Sequence, residues 1–268
     1  YPLESIIVPQ VKEDDLADLP PIAREIALNK ESSHHLLVST GNWKKAVQAY
    51  LACISFSDVQ IGRMLDALDN GPHRDNTIVC LWSDHGYHLG EKWHWHKQAL
   101  WQRATHVPLI FAAPGLTKAE TRCDRPVGLI DVYPTLADVC GLPIPAGLDG
   151  ASLKPFVENP AAPASKVAIS QYPRNAGKAD GAVMGYSIRD ARWRGTFWRE
   201  RNGSKIVATE LYDEQNDPAE TINLADKPEH QTVIESLRQH VPPVGSADSA
   251  GKATKPKATK AKPNKSRM

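Results

Sequence analysis

A chain of 268 residues, 41% hydrophobic and 24% charged, can enclose one substantial core, and its composition excludes collagen-like, low-complexity and disulfide-scaffold proteins. No run of roughly 18 apolar residues occurs, so no segment reads as a membrane span. The formal net charge of +1 hides an asymmetry: residues 245–268 hold seven Lys/Arg against one acid, leaving 25 basic and 30 acidic groups elsewhere.

Residues 1–40 are broken by Pro2, Pro9, Pro20 and Pro21 and read as loop, with a short helix near Ala23 to Leu28. His34-His35 reads as a solvated loop pair in preference to a metal site. Tyr1, without Met or an apolar leader behind it, reads as an internal cut or the start of a truncated product. From Asn42 to Asp69, Trp43, Val47, Leu51, Ile54, Ile61, Leu65 and Leu68 recur at helical steps, which predicts one long amphipathic helix with a single buried stripe. Gly71-Pro72 supplies its stop signal. The four cysteines lie far apart with no C-x-x-C pair, which argues against a zinc ribbon, and Cys53 and Cys80 read as core thiols.

The stretch Thr77 to Gly115 organises the chain. Ile78 to Trp82 is a short apolar run suited to a buried strand, and Val107 to Ala112 is another. The first ends at Ser83-Asp84-His85-Gly86, an acid, an imidazole and a turn-permitting glycine at the place where open α/β sheets put ligands. Three histidines and three tryptophans then crowd positions 88 to 101. An Asp-His pair after a strand also serves as a plain cap or turn. Further on, Val127 to Ile130 reads as a short strand and Asp131 as the cap of a helix running through Val139, stopped by Gly141-Leu142-Pro143. Residues 159–166, rich in Pro and Ala, read as a linker between a unit spanning 1–158 and a smaller one spanning 167–242. In the latter, Val167 to Gln171, Val183 to Arg189, Arg192 to Arg199 and Ile206 to Tyr212 predict a small antiparallel sheet, followed by a helix over Pro228 to His240. Residues 243–268 have no apolar periodicity and read as a disordered basic tail, either solubilising or able to contact anionic surfaces.

The order Asp84-His85-Gly86, Leu89-Gly90-Glu91, Trp95-x-Lys97, Ala104-Thr105-His106-Val107-Pro108-Leu109-Ile110 and Pro114-Gly115 resembles the C-terminal half of the catalytic domain of type I sulfatases, in the branch of the iduronate-2-sulfatases. Further resemblance lies in Leu148-Asp149-Gly150, Met184 to Arg189 and Glu210-Leu211-Tyr212-Asp213. It implies an α/β fold, the C-terminal part of an alkaline-phosphatase-like mixed sheet flanked by helices, plus a small antiparallel C-terminal sheet with a helix. By the same carry-over, Asp84 and His85 are ligands of a divalent cation, calcium above all, with His85 the weaker case because calcium prefers oxygen. Lys97 contacts the sulfate, and the compartment is an exported one. The substrate implied is a sulfated carbohydrate, with His88 and Trp95, beside Trp93, His94 and His96, edging the pocket mouth and Arg189, with Arg194, pairing a uronate carboxylate.

One part of the resemblance fails. Such enzymes make a formylglycine nucleophile from the Cys or Ser of a C/S-x-P-x-R motif, and none of Cys53, Cys80, Cys123 and Cys140, nor any serine, has proline two residues on. The expectation is therefore half of a sulfatase site, inactive alone. The alternatives are a phosphodiesterase or phosphonate hydrolase of the same superfamily, or a non-catalytic binding remnant.

Overall fold

The computed structural model describes residues 1–28, 34–163, 167–174 and 182–244. The tail from 245 and the end of the proposed linker lie outside the described residues. Two short helices, α1 (Pro21–Ala27) and α2 (His34–Ser39), precede the long α3 (Trp43–Asp69). Proline at the first position of α1 costs that helix nothing, because the amide it lacks would have had no intrahelical partner. Helix α3 has the predicted length and stop, with Gly71 N–H donating to Leu68 O at 3.0 Å. Its predicted burial holds only at the start. Val47 is buried, whereas Ile54, Ile61 and Leu65 farther along the stripe are exposed, as is Cys53.

Strand β1 (Val79–Trp82) leads into the hairpin β2 (His88–Leu89) and β3 (Trp95–His96), then the single turn α4 (Gln102–Thr105) and strand β4 (Leu109–Ala112). Strands β1 and β4 pair antiparallel, Val79 opposite Ala112 and Trp82 opposite Leu109. They form a two-stranded sheet with no further strand among the described residues. Trp82 and Ile110 consequently face solvent, so these apolar runs are not the fully buried strands their composition predicts.

No strand forms over Val127 to Ile130. A 3-10 turn at Leu129–Asp131 takes its place, because Asp131 is buried and its carboxylate accepts from Gly128 N–H at 3.0 Å and Ala151 N–H at 2.9 Å. Asp131 thus clamps two loops and makes no cap hydrogen bond to the following helix α5 (Val132–Val139). Helix α6 (Lys154–Glu158) closes this part.

The C-terminal strands β5 (Ala168–Arg174), β6 (Val183–Arg189), β7 (Trp193–Glu200) and β8 (Ile206–Asp213) form the expected antiparallel sheet in sequential order. The closing helix is α7 (Gln231–Arg238), entered through a 3-10 turn at Pro228–His230. Both faces of this sheet are covered, which is why Val183 to Ile188 are buried without alternation. Tyr186, Ile188, Phe197 and Leu211 pack under Ile234 and Leu237 of α7. Val183, Trp198 and Tyr212 share a second core with Ala23 and Ile26 of α1 and with Leu100 and Trp101. Gly185 belongs to that contact, since a Cβ there would come within 2.6 Å of both Leu100 and Trp198. This second core anchors the loop after β3 on the small sheet.

Its centre is polar. Glu210 is buried and accepts from Trp101 Nε1 at 3.0 Å, Trp198 Nε1 at 2.8 Å and Tyr212 OH at 2.7 Å, three donors that satisfy a carboxyl whose pKa burial pushes up. Buried Lys92 lies over the Tyr212 ring and reaches Asp15 Oδ1 at 2.9 Å. The N-terminal segment, the central loop and the C-terminal sheet therefore meet at one point.

Candidate active site

The backbone leaving β1 turns at Ser83–Gly86, where Ser83 Oγ donates to His85 O at 2.7 Å and Gly86 N–H donates to Ala104 O at 2.8 Å. Only glycine fits at 86. A Cβ there would lie 2.0 Å from the Arg103 carbonyl oxygen, so the turn is pressed directly onto α4. That contact fixes the two residues before it. Asp84 projects into solvent and His85 is half-buried, its Nδ1 2.9 Å from Gly86 O. The Nδ1 proton is therefore donated to that carbonyl, which leaves Nε2 with the lone pair.

Lys97 arrives at that lone pair from the β2–β3 hairpin. The chain reverses through Gly90 (φ 131°), Lys92 (φ 55°) and Trp93 (φ 53°), and His96 (φ 73°) bends it again immediately before Lys97. Glu91 stabilises the reversal by accepting from Leu89 N–H at 2.7 Å, and the buried Lys92–Asp15 pair pins its tip. Lys97 Nζ lies 2.8 Å from His85 Nε2, and Asp84 Oδ2 lies 3.6 Å from the same nitrogen. The three residues expected to contact cation and sulfate thus form one solvent-facing cluster. The His85–Asp84 spacing is one that two ligands of a single cation can have. Nε2 has one lone pair, so Lys97 and a cation compete for it. A hard cation such as calcium takes six to eight oxygens, and no group of three His, Cys, Asp or Glu residues able to hold a metal occurs among the described residues. These residues fit part of a coordination shell.

The other expected contacts are not brought to this cluster. His88 is fully buried and Trp95 is 5% exposed, so neither edges a pocket mouth. The hairpin turns both inward, His88 against His94 with ring centroids 4.9 Å apart and Trp95 into a core with Ile6 and Val47. None of the four ring nitrogens of His88 and His94 makes a hydrogen bond of normal geometry. Burial holds His88 well below the usual imidazole range and lowers His94 to about 4. His34 is likewise buried, in α2, accepting from Trp95 Nε1 at 3.2 Å. Arg194 is buried and committed, with Nε 2.7 Å from Glu214 and 2.9 Å from Glu220, and NH1 donating to Ser187 at 2.8 Å. Arg189 keeps partial exposure at the end of β6, 3.7 Å from Glu214. Burial raises Glu220 to about 8, with Glu214 adding to the effect. Lys92 and Glu220 were not singled out in the sequence, and Glu210 only as part of the Glu210-Leu211-Tyr212-Asp213 resemblance; isolated charges in loops have no spacing signature.

Comparison with known proteins identifies the family. The Sulfatase family model matches residues 11–142, and that of the C-terminal part of N-sulphoglucosamine sulphohydrolase matches residues 90–245. The chain belongs to the sulfatase family. It is 40% identical to a sulfatase of Formosa agariphila over 243 residues, covering 90% of this chain and 45% of that one. It is 31% identical to the iduronate 2-sulfatase of Homo sapiens over 296 residues, covering 84% of this chain and 54% of that one. Among solved structures, the phosphonate monoester hydrolase of Silicibacter pomeroyi shares the fold, with a TM-score of 0.71 at 25% identity over 89% of this chain and 50% of that one. This sulfatase chain therefore spans about half the length of the curated relatives it matches.

Proposed function

We propose that this chain provides the Asp84, His85 and Lys97 side of an active site that hydrolyses sulfate esters. The observation that carries the reading is the convergence of Lys97 Nζ, His85 Nε2 and Asp84 Oδ2 within 2.8 and 3.6 Å, on segments that match the family model in order. A bound divalent cation, with a formylglycine nucleophile from outside this sequence, would supply neutralisation of the sulfate oxygens and the attack on sulfur. Asp84 contributes a full negative charge that solvent exposure keeps available to that cation. Lys97, once released from Nε2 by a ligand there, offers three N–H donors to sulfate oxygens and a compact positive charge to the departing alkoxide. His85 keeps the ammonium close to the cluster in the absence of substrate.

For the substrate class, likeness to an iduronate 2-sulfatase supports a sulfated uronate, and the family resemblance is what supports an exported compartment. Arg189 is the remaining candidate for its carboxylate, since His88, Trp95 and Arg194 are occupied in the core. Sulfate is favoured over phosphonate because both matching family models describe sulfatases. The test is a chimera joining the upstream half of the Formosa agariphila sulfatase to this chain, produced with formylglycine maturation. It should hydrolyse sulfated uronic-acid oligosaccharides, and Lys97→Met should lower kcat by two orders of magnitude or more without altering the fold. Full turnover in Lys97→Met would sink the assignment of Lys97.

A further inference from the structure

The two segments that carry the polar cluster are tied to each other twice. His85, Gly86 and Tyr87 leave the turn after β1, and His96 and Lys97 lie at the end of β3. Lys97 Nζ is 2.8 Å from His85 Nε2. Two residues on from His85 and one back from Lys97, Tyr87 OH is 2.7 Å from His96 Nδ1. This second tie has support of its own. The Tyr87 ring meets the His96 imidazole edge-on, with centroids 5.5 Å apart, and packs against the Tyr50 ring of α3 at 5.0 Å. Tyr87 is half-buried, whereas His96 and Lys97 are exposed.

His96 needs such a partner. Its φ of 73° is left-handed, a conformation disfavoured for any residue with a Cβ. The pairing of β2 with β3 ends at the His88–His96 pair, and an exposed side chain has no core to enforce the turn. Strained backbone of this kind collects at functional sites, where neighbouring contacts over-determine it. Because φ at 96 sets the course of residue 97, an extended or right-handed His96 would carry Lys97 away from His85. We propose that Tyr87 and His96 are positioning residues for Lys97, and that the contact between them locks the left-handed turn that delivers the ammonium to the cluster. His96 acts through the backbone, and Tyr87 acts through His96. This inference rests on the sulfatase reading above and deepens it by naming what aims the lysine assigned to sulfate.

The test uses this chain alone and the chimera described above. In the chain alone, amide hydrogen exchange is followed residue by residue by NMR. The Ala99 N–H donates to Lys97 O at 2.8 Å. Tyr87→Phe keeps the ring that packs on Tyr50 and removes one hydrogen bond, so this amide should exchange about tenfold faster. His96→Gly, which adopts the same φ freely but lacks the imidazole, should do likewise, and the double variant should exceed neither single one. The Leu211 N–H, bonded to Asn223 Oδ1 at 3.0 Å in the C-terminal sheet, should be unchanged. In the chimera, Tyr87→Phe should lower kcat about tenfold, but less than about twofold where Lys97 is already Met, because nothing is then left to position. An Ala99 exchange rate that ignores Tyr87→Phe overturns the proposal. So does faster exchange at Leu211, which would make the hydroxyl a support of the whole fold, or a loss of kcat that is the same with and without Lys97. An inactive chimera removes the sulfatase reading instead, and exchange at Ala99 still decides whether Tyr87 holds the Lys97 segment.

Discussion

Lowering the pH from 7.5 to 5 should cost this chain stability through His94, and the size of the loss can be worked out. In the unfolded chain an imidazole titrates near its ordinary value of about 6.5. In the fold, burial first and then the nearby His96 and Arg174 lower His94 to about 4. The folded pKa lies below the unfolded one, so the fold prefers the neutral ring. The contribution is complete above pH 6.5 and disappears as pH falls from 6.5 towards 4. A separation of about 2.5 pKa units corresponds to about 3 kcal/mol at the limit, of which about 2 kcal/mol is lost by pH 5. Buried His88 shifts in the same direction and adds to it. Glu220 acts oppositely: its raised pKa means the fold prefers the protonated acid, so its contribution fades as pH rises through about 8. Comparison with His94→Leu cancels that term and isolates the imidazole. The assay is urea unfolding followed by tryptophan fluorescence at both pH values. The parent should lose about 2 kcal/mol more than His94→Leu over the interval. At pH 7.5 the variant should match or exceed the parent, because a buried ring with no well-formed hydrogen bond is exchanged for an apolar side chain. Equal losses in the two proteins would refute the claim that His94 is buried and neutral.

Lys92→Met should destabilise the chain by about 3 kcal/mol, because it leaves Asp15 buried without its hydrogen-bonded cation; the double variant Lys92→Met, Asp15→Leu should recover much of this in thermal melts. Gly86→Ala should be worse than an ordinary surface change, since its methyl meets the Arg103 carbonyl at 2.0 Å and backbone cannot yield cheaply; a Tm equal to the parent's would show that the turn is not pressed on α4. Asp84→Asn in the joined full-length polypeptide should weaken divalent-cation binding at least tenfold by calorimetry, and equal affinity would remove Asp84 from the ligands. This chain by itself should not hydrolyse a chromogenic aryl sulfate, and turnover that vanishes in Lys97→Ala would contradict that.

The C-terminal sheet was legible almost residue by residue, because Asp190-Ala191 and Asn202-Gly203 punctuate runs rich in aromatic and β-branched residues. Its two-sided burial was not legible. Arg194, Thr196 and Glu210 alternate with apolar neighbours and imitate a solvent face, yet each is buried. Of the candidate site, only the polar cluster was legible. Asp84 and His85 stand out at a strand end, whereas Lys97 came from the family resemblance alone. His88 and Trp95 were misplaced, because composition cannot say which way a hairpin with positive φ at Gly90, Lys92, Trp93 and His96 points its side chains.

Two kinds of misplacement run in opposite directions, and their difference is physical. His88, His94 and Trp95 were assigned outward and lie inward, because the left-handed turn at Lys92 and Trp93 reverses the chain under the hairpin. Cys53, Ile54, Ile61, Leu65, Trp82 and Ile110 were assigned inward and lie outward. The first group reflects local backbone geometry, which a pattern of residue types does not encode. The second group was read with the correct helical phase, and each strand formed within its predicted run; among the described residues nothing covers them. An amphipathic pattern reports the environment in which a helix is stable, and one that is apolar on two flanks reports an interior. The exposed residues of α3 and of the β1–β4 pair therefore carry a pattern suited to burial that the described residues do not provide.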